Sequence, residues 1–256
     1  MKLTFEKVLA DGYKSPSQKV RVLTENWVDT QIYCPNCGQQ NIYKYMNNQP
    51  VADFFCSKCK EDYELKSKKE SIGNKIVNGA YRTMIERLQA NNNPNLFLLS
   101  YNSYNSEVLN FLVIPKHFFV PGIIEERKPL AITARRAGWI GCNILLQSIP
   151  QIGKIFIIRN HQIEPKNKVL AEWRKTLFIR EEKEIRAKGW LLDIISCIEK
   201  FKNKEFTLNE IYAFENTLSK KHPENNYIRE KIRQQLQVLR DKGYLEFIER
   251  GRYRVI

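Results

Sequence analysis

The 256-residue sequence predicts a mixed α/β (α+β) chain of two domains. Three observations lead there. Amphipathic helical segments are interspersed with short apolar, strand-like runs through the first two thirds of the chain. Four cysteines in two C-x2-C pairs interrupt that alternation between 34 and 59. After the charged run REEKEIRAK (180–188) the pattern changes to three helices and a terminal hairpin. The boundary is set in that run, giving domains 1–182 and 183–256.

The elements follow in order. SPSQKVRVLTENWV (15–28) reads as a helix, with Ser and Pro start signals and Val20, Leu23 and Trp27 at helical spacing. NKIVNGAYRTMIERLQAN (74–91) suggests a second helix, with Ile76, Ala80, Met84 and Leu88 on one face. NNNPN (91–95) then breaks the chain. NLFLLSY (95–101) and VLNFLVI (108–114) read as buried strands joined by a polar turn, KIFII (154–158) as another strand, and KVLAEWRKTLFI (168–179) as a helix. In the second domain, GWLLDIISCIEKF (189–201) is the first helix. Thr207 and Glu210 have capping-box spacing at the start of the next. Asn226 is placed to cap a third helix, 227–242, whose inner face carries Ile228, Ile232, Leu236 and Leu239. YLEFIE and RYRVI close the chain as a hairpin around Arg250–Gly251.

Composition narrows the function. Lys and Arg exceed Asp and Glu by 42 to 28, a net charge of +14, while 43% of residues are hydrophobic. That combination fits a folded protein with a polyanionic partner, attracted by steering and counterion release. The surplus is +11 over 1–180 and +3 over 181–256, so it belongs to a folded surface and not to a tail. No run approaches the ~18 apolar residues of a membrane span. The N-terminus MKLTFEKVLA lacks a secretory core, so a cytoplasmic protein with no membrane partner is expected.

Cys34, Cys37, Cys56 and Cys59 form C-x2-C-x18-C-x2-C. Two knuckles with two thiolates each close a tetrahedron around Zn²⁺, leaving no open position, so the site is expected to be structural. Four thiolates and one zinc sum to −2, which brings the expected charge to +12. Cys142 and Cys197 lie in apolar surroundings and read as packing residues, and His117, His161 and His222 show no ligand spacing.

The second pair of cysteines sits where a turn should join two short strands, one with Asp53 and one with Glu64-Leu65-Lys66. That register sets Asp53 across from Glu64 and Val51 across from Lys66, and the two-residue period puts Glu64 and Lys66 on one face. Two carboxylates and a backbone carbonyl make a hard oxygen site for Mg²⁺. An adjacent lysine suits metal-assisted phosphodiester hydrolysis. Acid-x-Lys alone says little, since it also starts at Glu126, Glu164 and Glu181. Only Glu64 adds strand alternation and an upstream Asp, and the same pattern also fits a charged strand face beside a zinc ribbon.

On these residues the chain resembles the PD-(D/E)XK nucleases, with Val-Ala-Asp53 where that superfamily has Pro-Asp. Through NNQPVADFFC, ELKSKK, NNNPN, KPLAITARRAGWIGCNI and EKIRQQLQVLRDK it resembles the DpnI-like methyl-directed (type IIM) restriction endonucleases over most of its length. The resemblance implies a nuclease core with an inserted four-cysteine zinc site, followed by a winged helix. It implies Mg²⁺-dependent double-strand cleavage of GATC containing N6-methyladenine with no methyltransferase subunit required; a monomer is expected, although nothing in the sequence fixes the oligomeric state. Asp53, Glu64 and the Leu65 carbonyl would hold Mg²⁺, Lys66 would assist the nucleophile, and Glu25 would be a possible further acid. The competing reading is a non-catalytic regulator built from a zinc ribbon and a winged helix.

N6-methyladenine adds a methyl group to the major groove while keeping one N6 hydrogen, so its reader needs an apolar wall beside polar groups. Asn226, Tyr227, Arg229, Arg233 and Gln234 on the third helix are the expected base or phosphate contacts. Arg250, Arg252 and Arg254 on the wing are expected at phosphates. Arg135, Arg136 and Trp139 add a basic, aromatic cluster in the first domain.

Overall fold

The computed structural model describes residues 1–46 and 52–256. Val51, expected opposite Lys66, lies outside the described residues. The chain divides into two compact units, Met1–Gln147 with Ile152–Leu177, and Ser148–Gln151 with Phe178–Ile256.

The first unit opens with helix α1 (Pro16–Gln31), started by Pro16 in its first turn, where no amide donor is required. Strands β1 (Tyr43–Lys44), β2 (Phe54–Phe55) and β3 (Asp62–Lys69) follow. Next come β4 (Lys75–Ala80), α2 (Tyr81–Gln89), β5 (Asn95–Asn102) and β6 (Glu107–Ile114). β7 (Ile124–Glu126), β8 (Gly141–Leu145), β9 (Ile155–Arg159), β10 (Gln162–Ile163) and α3 (Lys166–Lys175) complete it.

Seven strands form one sheet in the order β1-β2-β3-β5-β6-β9-β10. β3 and β5 run parallel, Glu64 beside Leu96 and Lys66 beside Leu98, and the connection between them carries β4 and α2. β5 is buried along nearly its whole length, as a strand covered on both faces must be. On one face Trp27 and Val28 of α1, Ile32 just after it, and Val169 and Trp173 of α3 pack over Tyr63, Phe97, Phe111 and Ile157. Leu65 packs against that same core. Glu64 and Lys66, one residue out of phase, therefore face the other way. There Glu64 shares a small cavity with Asn78, Met84, Leu96 and Ile144. That side is built by a second sheet, β4-β8-β7.

The expected helix over 74–91 is half strand. Lys75–Ala80 pairs antiparallel with Gly141–Leu145, and the helix begins at Tyr81. Met84 and Leu88 do form its buried face, whereas Ile76 is buried in the sheet. A partner more than sixty residues away overrode the local helical spacing.

α4 (Leu177–Glu181) leads into the second unit, which continues with α5 (Ile185–Ile198), β11 (Glu205–Thr207), α6 (Leu208–Tyr212) and α7 (Glu215–Lys221). α8 (Ile228–Asp241), β12 (Leu245–Glu249) and β13 (Arg252–Val255) end the chain. The last two strands and β11 form a three-stranded sheet in the order β11-β13-β12. The Thr207–Glu210 capping box is present: the Glu210 amide donates to Thr207 Oγ1 at 3.2 Å, and the Thr207 amide to Glu210 Oε2 at 2.6 Å. Ile228, Ile232, Leu236 and Leu239 of α8 are buried, as their spacing predicts. Asn226 does not cap this helix. Tyr227 holds the cap position without a side-chain bond, and the Tyr227 amide donates to Asn225 Oδ1 at 2.7 Å.

Candidate functional site

The four cysteines converge. Their Sγ atoms all lie within 4.8 Å of one another, with Cys34 and Cys59 at 3.5 Å and Cys37 and Cys56 at 3.6 Å. A zinc–sulfur tetrahedron with bonds of about 2.3 Å has edges of about 3.8 Å, so this donor set fits Zn²⁺. Two similar turns build it. The Gly38 amide donates to the Cys34 carbonyl at 2.8 Å, and the Lys60 amide to the Cys56 carbonyl at 2.9 Å. Gly38 (φ 76°) and Lys60 (φ 58°) both take left-handed backbone, which turns the chain back after each pair.

Tyr63, a residue the sequence reading did not single out, links this cluster to β3. It is fully buried, stacks on Phe97 with ring centroids 4.4 Å apart, and sets its hydroxyl 3.1 Å from Cys34 Sγ. The signal was its phase: it lies two residues before Leu65, on the core face of the strand.

The hairpin around the second knuckle takes the expected register, Phe54 paired with Tyr63 and Phe55 with Asp62. Asp53 lies just before β2, with its amide donating to the Tyr63 carbonyl at 2.9 Å. Its carboxylate accepts the Leu65 amide at 2.7 Å, a side chain taking the place of a backbone partner. A strand residue sends its N–H and C=O to the same side, so the Leu65 carbonyl emerges at the edge where the Asp53 carboxylate sits. Lys66 Nζ stands 2.6 Å from Glu64 Oε1, both side chains partly exposed. Burial holds the Asp53 carboxyl above its ordinary range. The Leu65 N–H works against that shift, the charges of Glu64 and Glu25 add to it, and Lys66 opposes it. A half-buried carboxylate that feels the charge of two others is an environment that a divalent cation relieves, so the donors fit Mg²⁺.

Glu25, buried in α1, is held by Arg21 at 2.6 Å and Lys44 at 2.7 Å. It lines a cleft of about 400 Å³ between α1 and β3 with Arg21, Leu65 and Ser67.

The expected DNA-facing residues differ in environment. Arg135 and Arg136 are exposed, and the Arg136 guanidinium lies 4.4 Å from the centre of the half-buried Trp139 ring. Asn226, Tyr227 and Gln234 are exposed. Arg229 is held by Glu215 at 2.8 Å, and Arg233 by Glu230 and the Tyr212 hydroxyl, each at 3.0 Å. Arg252 pairs with Glu249 at 3.1 Å, and Arg254 is clasped by Glu205 at 2.6 Å and Glu246 at 2.8 Å. Arg250 takes part in no ion pair among the described residues. The wing arginines thus do not present one uniform basic face.

A mixed sheet with a four-cysteine cluster able to hold a metal ion, together with a C-terminal winged-helix unit, defines an α/β protein whose second unit suggests DNA binding. The chain belongs to the Dam-replacing family (DpnI): residues 1–182 match that family, and residues 186–255 match the Dam-replacing HTH domain. That membership indicates a methylation-dependent restriction enzyme. No helix among the described residues is long and apolar enough to cross a membrane.

Proposed function

We propose that the protein is a Mg²⁺-dependent endonuclease that cuts both strands of duplex DNA at GATC sites containing N6-methyladenine. Residues 1–182 supply the chemistry, and residues 183–256 bind DNA as a winged helix. The observation that carries the reading is the Asp53–Leu65 contact at 2.7 Å beside the Glu64–Lys66 contact at 2.6 Å, three charged groups gathered on one strand edge.

Asp53, Glu64 and the Leu65 carbonyl hold Mg²⁺. Bound there, Mg²⁺ would supply Lewis-acid polarisation of the phosphoryl group and activation of the attacking water. Lys66 Nζ orients the attacking water and offsets the negative charge that grows on the phosphorus oxygens. Glu64 in turn fixes Lys66, and the Leu65 N–H keeps Asp53 aimed at the edge. The zinc cluster is structural, tying the knuckles that set the β2–β3 register. The expected contacts in the winged helix are Asn226, Tyr227, Arg229, Arg233, Gln234 and the wing arginines. The four paired arginines exchange exposed carboxylate partners for phosphates, at little cost because surface pairs are weak.

Plasmid grown in an adenine-methylating host is the test. Wild-type protein with Mg²⁺ should linearise and fragment it at GATC, while chelator or Asp53→Ala should leave it intact. Cleavage that survives Asp53→Ala would remove Asp53 from the chemistry, and intact plasmid with the wild type would overturn the nuclease reading.

A further inference from the structure

Ile132 is 91% exposed, one of the most exposed large apolar side chains in the protein. It sits in the β7–β8 connection, 127–140, which is a closed hairpin and not a loose loop. The Arg127 amide donates to the Gly141 carbonyl, the Leu130 amide to the Trp139 carbonyl, and the Gly138 amide to the Leu130 carbonyl, all at 3.0 Å. Trp139 braces its base so closely that a Cβ on Gly141 would lie 2.8 Å from the indole. A stiff support that holds an isoleucine out in water gains nothing for folding, because the side chain buries almost no area.

The hairpin's charge names an occupant. Arg127, Lys128, Arg135 and Arg136 fall in a stretch with no acidic residue from 127 to 142. No ion pair among the described residues involves any of the four, whereas Arg229, Arg233, Arg252 and Arg254 all have carboxylate partners. The root of the hairpin adjoins the acidic edge. β8 lines the cavity that holds Glu64 through Ile144, and Cys142, next to the root, feels the charges of Glu64 and Lys66. From the Arg127–Gly141 level to Ile132 is five residues, at most about 17 Å of extended chain. That is about five base-pair steps of 3.4 Å.

We propose that this hairpin enters a groove of the bound duplex and that Ile132 is its wedge, pressing into the base stack within about five base pairs of the hairpin root beside Glu64 and Lys66. Arg127, Lys128, Arg135 and Arg136 hold the flanking phosphates. Apolar tips carried on basic supports act this way elsewhere, unstacking a step to bend the duplex. The inference rests on the nuclease reading for the position of the phosphate, and its test is separable from that reading.

The test uses the full chain carrying Asp53→Ala, bound to methylated GATC duplexes with 2-aminopurine placed at successive positions on either side of the site. Fluorescence should rise at one step, be lost with Ile132→Ser, and return with Ile132→Leu. In the cleaving enzyme Ile132→Ser should raise KM about 10-fold or more, the loss expected for one buried isoleucine. The melting temperature should not move, because the residue is exposed. A fluorescence rise that survives Ile132→Ser, or no rise at any position in a duplex that is bound, would overturn the wedge. Cleavage of methylated DNA with Ile132→Ser unimpaired would sink the wedge and leave the nuclease standing. Stacking changes that depend on Ile132 in a wild-type protein that does not cut would do the reverse.

Discussion

Tyr63→Phe removes one oxygen atom from the link between the cysteine cluster and the acidic strand. The ring stays: Tyr63 is fully buried and stacked on Phe97 at an interplanar angle of 5°, and phenylalanine keeps that contact. What disappears is the hydroxyl 3.1 Å from Cys34 Sγ. In the zinc-loaded protein that sulfur is a thiolate, and a hydrogen bond to a charged group contributes about 1.5–3 kcal/mol. Losing an outer partner of a metal ligand weakens metal binding by about 10–100-fold, or about 1.4–2.7 kcal/mol, so the two lines of reasoning agree. Zinc competition against a chromophoric chelator should show that loss, and faster release of zinc should accompany it. Because Tyr63 is next to Glu64, nuclease activity at saturating zinc should be restored to near the wild-type level. Unchanged zinc affinity would refute the link. Normal affinity with lost cleavage would mean that the hydroxyl serves the strand and not the metal.

Three further outcomes follow from the same geometry. The Asp53 carboxyl is held above its ordinary range, first by burial and then by the charges of Glu64 and Glu25. Its contribution to stability is present below the ordinary carboxylate range and is lost as pH rises through the raised value. In chelator, Asp53→Asn should therefore be more stable than wild type at pH 8. The gap should close towards pH 3, and a gap independent of pH in thermal melts would refute this. Thr207→Ala breaks the capping box and should destabilise the second unit by about 1 kcal/mol, read from denaturant unfolding, while Thr207→Ser should be nearly neutral. An unchanged midpoint for Thr207→Ala would show that the box is dispensable. Cys34→Ser leaves three thiolates and should lose zinc together with folded structure, since metal binding is coupled to folding; a soluble variant with wild-type zinc content and melting temperature would contradict it.

The sequence made the cysteine cluster and the β2–β3 hairpin legible for a simple reason. The C-x2-C knuckles fix where each turn falls, and the two-residue period of a strand then fixes which side chains share a face. That reasoning reached the Phe54–Tyr63 register, the separation of Leu65 from Glu64 and Lys66, and the gathering of the cysteines. The buried face of α8 and the capping box were legible because both are local patterns. Non-local choices were not. Ile76, Ala80, Met84 and Leu88 have faultless helical spacing, yet the first two lie in a strand because β8 offers them a partner. Asn225 and not Asn226 bonds to the turn before α8, a one-residue difference that composition cannot resolve. Arg254 alternates with Arg252 as a phosphate contact would, but Glu205, 49 residues away, already clasps it. Ile132 was passed over for the same reason, since exposure is a property of the fold and not of the letter.

The central claim is that the Asp53, Glu64 and Lys66 edge cuts DNA according to adenine methylation. It is tested most directly by single-turnover cleavage, with Mg²⁺, of two duplexes identical except for N6-methylation of one GATC site. The account predicts cutting of both strands of the methylated duplex, cutting of the unmethylated one slower by orders of magnitude, and neither with Asp53→Ala. Equal rates on the two duplexes, or no cleavage of the methylated one, would contradict it.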